Sequence, residues 1–251
     1  MDELVEMVIK YILTSKHLVA FTGAGVSAES GVPTFRGSNG LWKRFKPEEL
    51  ATPEAFRMDP LRVWEWYKWR MKIISHAKPN PAHYALAKLE KLGILKCIIT
   101  QNVDGLHQKA GSQNVIELHG SIWRVKCTRC NYKGKVEKPP EKIPPKCPKC
   151  NSLLRPDVVW FGEPLPQREW SKAVGEALKC DVMLVIGTSG VVMPAALIPR
   201  IAWENRAKII EINPEDTPIS HIAYIKVSEA AGKFFSNLIN LIDKHVTSKQ
   251  N

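Results

Sequence analysis

Four uninterrupted apolar stretches of strand length, each stopped by a small or amide residue, set the frame of the chain. They are Leu18–Thr22 before Gly23, residues 97–100 before Gln101, Val182–Ile186 before Gly187, and residues 209–212 before Asn213. Strands without polar alternation are buried on both faces, as in a parallel sheet covered by helices. Helical periodicity fills the intervals. The clearest case takes Asn80 as N-cap and Pro81 as its first residue, carries Ala82, Ala85, Leu86, Leu89 and Leu92 at spacings of three to four, and stops at Gly93. Similar patterns cover about 167–179, 194–205 and 230–245, and the first dozen residues share them. This alternation predicts an open, doubly wound α/β domain, and such sheets bind ligands at the carboxyl ends of their strands.

Two segments break the alternation. Residues 43–77 are rich in aromatics and read as a helical insertion. Residues 123–155 hold Cys127-x-x-Cys130 and Cys147-x-x-Cys150, sixteen residues apart, with a proline-rich spacer between them. This spacing predicts two knuckles closing on one tetrahedral zinc ion. Four thiolates leave no open coordination position, so the ion serves structure, supplying free energy that a module too small for its own core lacks. Free thiols or two disulfides are the alternative, and a ribbon that touches nucleic acid is a second functional reading. Cys97 and Cys180 read as small buried hydrophobes. The expected organisation is a nucleotide-binding domain over 1–42, 78–122 and 156–251, a helical insertion over 43–77 and a zinc module over 123–155.

Composition adds limits. At 251 residues and 44% hydrophobic, the chain can bury a full core. No apolar run reaches 18 residues, and the acidic start is unlike a signal peptide. A soluble, cytoplasmic protein with no membrane partner is expected. An excess of 36 Lys+Arg over 25 Asp+Glu, net +11, favours anionic partners. No basic run with interleaved aromatics stands out, so a solvated basic surface accounts for the charge.

Gly23-Ala24-Gly25-Val26-Ser27-Ala28 follows the first strand and fits G-x-G-x-x-[G/A], where backbone N–H groups and a helix start meet a pyrophosphate. A simple glycine turn would read the same way. The acidic residue that dehydrogenases carry about twenty positions on, at the end of a second strand, has no counterpart here. A nucleotide is therefore expected, without ordinary hydride transfer. Gln101-Asn102-Val103-Asp104, Gly187-Thr188-Ser189 and Asn213-Pro214-Glu215 stand at the other strand ends and offer what two riboses need. Each alone could be a turn or a cap.

Together these residues resemble the sirtuin family. The resemblance rests on the string from Gly23 through Glu29, Gly31 and Pro33 to Arg36, the run from Thr100 to His107, His119-Gly120, the four cysteines, Phe161-Gly162-Glu163 and Gly187-Thr188-Ser189, all in the family's order. It implies a Rossmann-like large domain, a smaller one of zinc ribbon and helical insertion, and NAD-dependent removal of acyl groups, acetyl as well as succinyl or malonyl, from protein lysines. Nicotinamide and O-acyl-ADP-ribose would be released. His119 would be the general base on a ribose hydroxyl, as suits an imidazole titrating near neutrality. Asn102 would hold the ribose and Asp104 the nicotinamide pocket. Further NAD contacts fall on Gly23, Ala24, Gly25, Ser27, Ala28, Phe35, Arg36, Trp42, Gln101, Gly187, Thr188, Ser189, Asn213, Pro214, Glu215 and Ala231. His107 either serves the nicotinamide region or caps a short helix.

Val158-Val159-Trp160-Phe161-Gly162-Glu163 resembles the family segment that pairs with the substrate peptide, so Val159, Phe161, Gly162 and Glu163 are expected at the substrate; an ordinary buried strand would look alike. Tyr67 and Arg70 lie three apart and share a helix face. Their Tyr-x-x-Arg spacing resembles the subgroup that removes succinyl or malonyl groups, where the guanidinium pairs with a carboxylate. Alternatively the aromatic face packs on the core and Arg70 lies in solvent. One departure is Gly190, where the family more often has leucine. Expected partners are acyl-lysine proteins or peptides, chromatin and metabolic proteins among them, with no nucleic-acid contact required. Mono-ADP-ribosyl transfer and an NAD-sensing, nucleic-acid-binding ribbon are the competing functions.

Overall fold

A computed structural model describes residues 2–36 and 40–248. Met1, which opens the acidic amino-terminal segment, lies outside them. The chain runs through α1 (Asp2–Thr14), β1 (Leu18–Thr22), a 3-10 helix over Ala24–Ser30, α2 (Pro47–Leu50), α3 (Pro53–Met58) and α4 (Pro60–His76). It continues as α5 (Pro81–Lys91), β2 (Leu95–Thr100), α6 (Leu106–Lys109), β3 (Val115–Glu117), β4 (Gly120–Cys127), β5 (Lys133–Lys135) and β6 (Leu154–Val158). Then come α7 (Gln167–Lys179), β7 (Val182–Ile186), α8 (Leu197–Glu204), β8 (Lys208–Ile212), β9 (Ile225–Val227) and α9 (Ala231–Ser248).

The large sheet has the order β3-β2-β1-β7-β8-β9, parallel throughout. Strand order reverses between β1 and β7, which opens a crevice at their carboxyl ends. Alternate residues of each strand feed two separate cores. Leu18, Ala20, Ile98, Leu184 and Ile210 pack under α1, α5 and α9. Val19, Phe21, Ile99, Met183 and Ile209 pack under α7 and α8. This two-sided burial is the reason the strands read as unbroken apolar runs.

A smaller lobe has its own core. Trp64, Tyr67, Met71 and Ile74 of α4 pack with Phe56 of α3 against Ile122, Val125, Leu154 and Val158 of the antiparallel sheet β5-β4-β6. The helical insertion and the cysteine module therefore share one interior, and Trp64 Nε1 donates to the Leu154 carbonyl at 2.8 Å across it. Local chemistry fixes the helix starts: Asp59 caps α4 by accepting from the Arg62 N–H at 2.9 Å, and Asn80 caps α5 by accepting from the Ala82 N–H at 3.0 Å.

Three local expectations shift. The helix expected over 194–205 begins at Leu197, because Pro194–Ala196 is used in turns, with the Leu197 N–H bonded to the Pro194 carbonyl. The Gly23–Ala28 motif opens a 3-10 rather than an α-helix. Val159–Glu163 is not strand; β6 ends at Val158. No helix among the described residues is long and apolar enough to cross a membrane.

Candidate active site

The crevice at the switch point is closed on its far side by the small lobe and becomes a cavity of about 1000 Å³. Most of its large-domain wall comes from the loops that follow strands β1, β2, β7 and β8. Gly23 and Gly25 let the loops after β1 and β7 touch: a Cβ on Gly25 would lie 2.7 Å from Gly187 Cα, and one on Gly23 2.8 Å from the Gly187 carbonyl oxygen. The same contact takes up backbone donors. Gly23 N–H bonds Ile186 O, Gly25 N–H bonds Gly187 O at 2.7 Å, and Val26 N–H bonds Gly23 O. That of Ala24, first in its helix, has no intrahelical acceptor. Fewer backbone N–H groups of the motif are thus free for a phosphate than its glycines suggest, and the glycines also serve close packing.

Gly23, Ala24, Gly25, Ala28, Phe35, Arg36, Trp42, Gln101, Asn102, His119, Gly187, Thr188, Ser189, Asn213, Pro214, Glu215 and Ala231 all line this cavity. Ser27 and Asp104 do not; they are buried behind the wall. Ser27 Oγ donates to Asp104 Oδ2 at 2.8 Å and accepts from Asn102 Nδ2 at 3.2 Å, so the hidden pair sets the orientation of the exposed amide. Burial raises the Asp104 pKa, against hydrogen bonds from Leu106 N–H and Ser27. Gln101 Nε2 donates to Thr188 Oγ1 at 2.8 Å, and Asn213 Nδ2 to the Thr188 carbonyl at 2.8 Å, tying β2, β7 and β8 at their ends.

His119 stands between β3 and β4, where the chain crosses from large domain to small. Its Nδ1 lies 2.9 Å from the Gln101 carbonyl. A carbonyl only accepts, so Nδ1 carries the proton and Nε2 keeps a lone pair. Burial lowers its pKa below the ordinary 6.5, with the Gln101 hydrogen bond opposing. The ring is neutral at physiological pH and able to take a proton. His107 is neither a cavity residue nor a cap: it is buried, 3.0 Å from Thr22 Oγ1, and its ring packs 4.9 Å from that of His83. Desolvation pushes these two down to about 3 and about 4.

The small-lobe wall is built in part from α4. Tyr67 and Arg70 are both buried and both line the cavity, so Arg70 is not in solvent. The Arg70 guanidinium lies 4.6 Å from the Phe35 ring centroid and 4.9 Å from that of Trp66. It makes no ion pair or hydrogen bond among the described residues; desolvation lowers its pKa, opposed by Tyr67 and, more weakly and through space, by Asp104. Tyr67 Oη accepts from Trp160 Nε1 at 2.8 Å. Its own proton remains to be donated, and burial, which raises the phenol pKa, keeps it there. Trp160 and Trp66 are the partners that sequence reasoning missed. Trp66 belongs to the aromatic-rich insertion over 43–77, but nothing local marks Trp160 as the neighbour of a residue 93 positions away.

Val159, Phe161, Gly162 and Glu163 also line the cavity. The Glu163 carboxylate is already engaged, accepting from Arg155 at 2.6 and 2.9 Å and from the Trp160 N–H at 2.9 Å. It clamps the loop that presents Val159 and Phe161. Gly190 has φ 64°, and a Cβ there would meet Ile219 Cδ1 at 2.9 Å. Both facts disfavour the leucine that the resemblance leads one to expect.

The four paired cysteines meet, with their sulfurs within 4.8 Å of one another. Cys127 Sγ is 3.4 Å from Cys150 Sγ, and Cys130 Sγ is 3.6 Å from Cys147 Sγ. Zinc bonded to four sulfurs at about 2.3 Å spaces them roughly 3.8 Å apart, so the donor set fits that ion. Cys147 also belongs to the small-lobe core with Tyr67 and Trp160. Chelating the zinc is expected to loosen that core and abolish activity indirectly. Metal content, near-UV dichroism and turnover, followed together, check this; folded, zinc-free protein with normal turnover would contradict it.

A model of the Sir2 family matches residues 23–194. The chain is 57% identical to NAD-dependent protein deacylase 2 of Pyrobaculum aerophilum, over 95% of this chain and 96% of that protein. Among solved structures it resembles a Sir2 homolog–NAD complex (TM-score 0.91, 55% identity, 96% of this chain and 94% of the other). It also resembles a Sir2–p53 peptide–NAD+ complex (TM-score 0.85, 37% identity, 94% and 97%).

Proposed function

The chain belongs to the Sir2 family and is an NAD-dependent protein deacylase, and we propose that, besides acetyl, it removes from lysine acyl groups that end in a carboxylate, and prefers these. The observation that carries the acyl preference is Arg70. A buried guanidinium without a protein anion is costly unless a ligand supplies the charge. Stacking on Phe35 and Trp66 offsets part of that cost and fixes the plane of the fork. Beside it, the free proton of Tyr67 supplies a neutral donor. Succinyl and malonyl groups bring a carboxylate to this position; acetyl does not.

NAD supplies a C1′ that already bears a cationic leaving group, nicotinamide, for attack by the acyl carbonyl oxygen. The residues orient, exclude water and move one proton. His119 Nε2 takes that proton from a ribose hydroxyl. Asn102, held by Ser27, positions the ribose. Asp104 acts from behind the wall on the nicotinamide side, through Ser27. The loops after β1, β7 and β8 hold the remainder of the dinucleotide. Val159 and Phe161 border the acyl-lysine and its peptide. Chromatin and metabolic proteins are proposed as sources of that peptide. The cytoplasm is the proposed compartment, where a reducing poise keeps four thiolates available to zinc.

Incubation with NAD and matched succinyl-, malonyl- and acetyl-lysine peptides, with products read by mass, tests the reading. Bare peptide, nicotinamide and O-acyl-ADP-ribose are expected together, with the two acidic acyl groups turned over most efficiently. Turnover of acetyl-lysine alone would refute the acyl preference. Modified protein without deacylation would indicate ADP-ribosyl transfer, and NAD binding without turnover a sensor.

A further inference from the structure

The net charge of +11 is not spread evenly. Residues 123–155 contain ten Lys/Arg and two Asp/Glu, a net of +8 carried by about an eighth of the chain. Zinc with four thiolates has a formal charge of about −2 and offsets only part of this. Internal ion pairs account for some of the cations: Arg155 with Glu163, Arg124 with Glu117, Lys126 and Lys133 with Asp157, and Lys138 with Glu141. Five remain. Arg129, Lys135, Lys142, Lys146 and Lys149 are exposed and have no side-chain hydrogen bond or ion pair among the described residues.

Their placement concentrates the field. Arg129 lies within the first cysteine knuckle, and Lys146 and Lys149 in the second, so closing the four sulfurs on one another gathers these three. On the adjoining ribbon Lys135 stands directly opposite Arg124, and Lys133 opposite Lys126. Asp157 offsets the repulsion between Lys126 and Lys133, and Glu117 holds Arg124, so of these four Lys135 is the one left without an anion. Meanwhile the module exposes no large hydrophobic side chain: those of the molecule lie at Met58, Leu61, Trp69, Tyr84, Phe161, Met193 and other sites outside 123–155. Protein–protein interfaces are anchored by buried aromatic and apolar groups. A cationic face without such anchors fits a polyanion held by charge alone, and the phosphodiester backbone is that partner.

We propose that the zinc module is a docking surface for the backbone of nucleic acid, without base selection, and that it brings the deacylase to acyl-lysine proteins carried on the same strand. None of the five cations lines the catalytic cavity, so docking leaves the cleft free.

The test uses the zinc-loaded full chain and a fluorescent DNA duplex of mixed sequence, read by anisotropy. Five cations acting together give a slope of log K against log salt of about −4.5, or roughly a 500-fold loss of affinity between 50 and 200 mM. The triple substitution Arg129→Gln, Lys146→Gln and Lys149→Gln is expected to reduce that slope by about three. Zinc content and deacylation of a short free peptide should be unchanged. No saturable binding at 50 mM salt would overturn the proposal, as would an unchanged slope in the variant. Polyglutamate competing as well as duplex at equal charge would also overturn it, in favour of an acidic protein partner. A protein inactive on every acyl peptide that still bound duplex would leave it standing.

Discussion

Alanine in place of His119 is expected to lower kcat/KM for deacylation by about 10²- to 10⁴-fold, the span a positioned general base contributes. Fold, zinc content and NAD affinity should persist. The Gln101 carbonyl fixes the tautomer, leaving Nε2 as the acceptor, and the half-buried ring has its pKa lowered by desolvation. The pH dependence follows with a definite sign. The neutral ring is the active form, so activity falls as pH drops through its pKa. Since burial lowers that pKa, the acid limb of kcat/KM is expected to have its midpoint below 6.5. That limb reports the free enzyme, and so the ring in the surroundings described above. A midpoint at or above 6.5, or full deacylation by the alanine variant, would remove His119 from the role.

How much of this was legible in the sequence depended on where the forces act. Strands β1, β2, β7 and β8 announced themselves because burial on both faces demands continuous apolar residues. Strand β9 has three residues at a sheet edge, too few to show a period. The ribbon β4-β5-β6 was hidden because lysine and arginine occupy its solvent face beside apolar positions such as Val125 and Leu154. The zinc ligands could be read because coordination fixes spacing along the chain. The GxGxxA glycines were visible, but one of their uses was not: they pack against Gly187, a contact between loops some 160 residues apart. Likewise the Tyr67–Arg70 spacing placed two side chains on one helix face. The donor from Trp160, the rings of Phe35 and Trp66, and the lack of an anion came only with tertiary structure. The concentration of lysine and arginine over 123–155 can be counted in the sequence, but which of these cations are paired, with Glu117, Asp157 and Glu163, came only with tertiary structure.

The substitution Arg70→Met separates the acyl proposal from simple packing. Methionine keeps much of the apolar stem between Phe35 and Trp66 and removes the fork. Losing one member of a buried, hydrogen-bonded charge pair costs about 3 kcal/mol. Desuccinylation and demalonylation should therefore lose about 100-fold in kcat/KM. Deacetylation, which places no anion there, should change far less, because the acetyl group makes no pair with the guanidinium that is lost. Tyr67→Phe should follow the same direction with a smaller loss of about tenfold, since one neutral donor is withdrawn while Arg70 remains. The Tyr67 ring and its core contacts survive that change, which makes it the milder control on folding. Parallel kinetics on the three peptides check the pair. Equal losses on acetyl and succinyl substrates would show that Arg70 shapes the small lobe and does not read the acyl carboxylate.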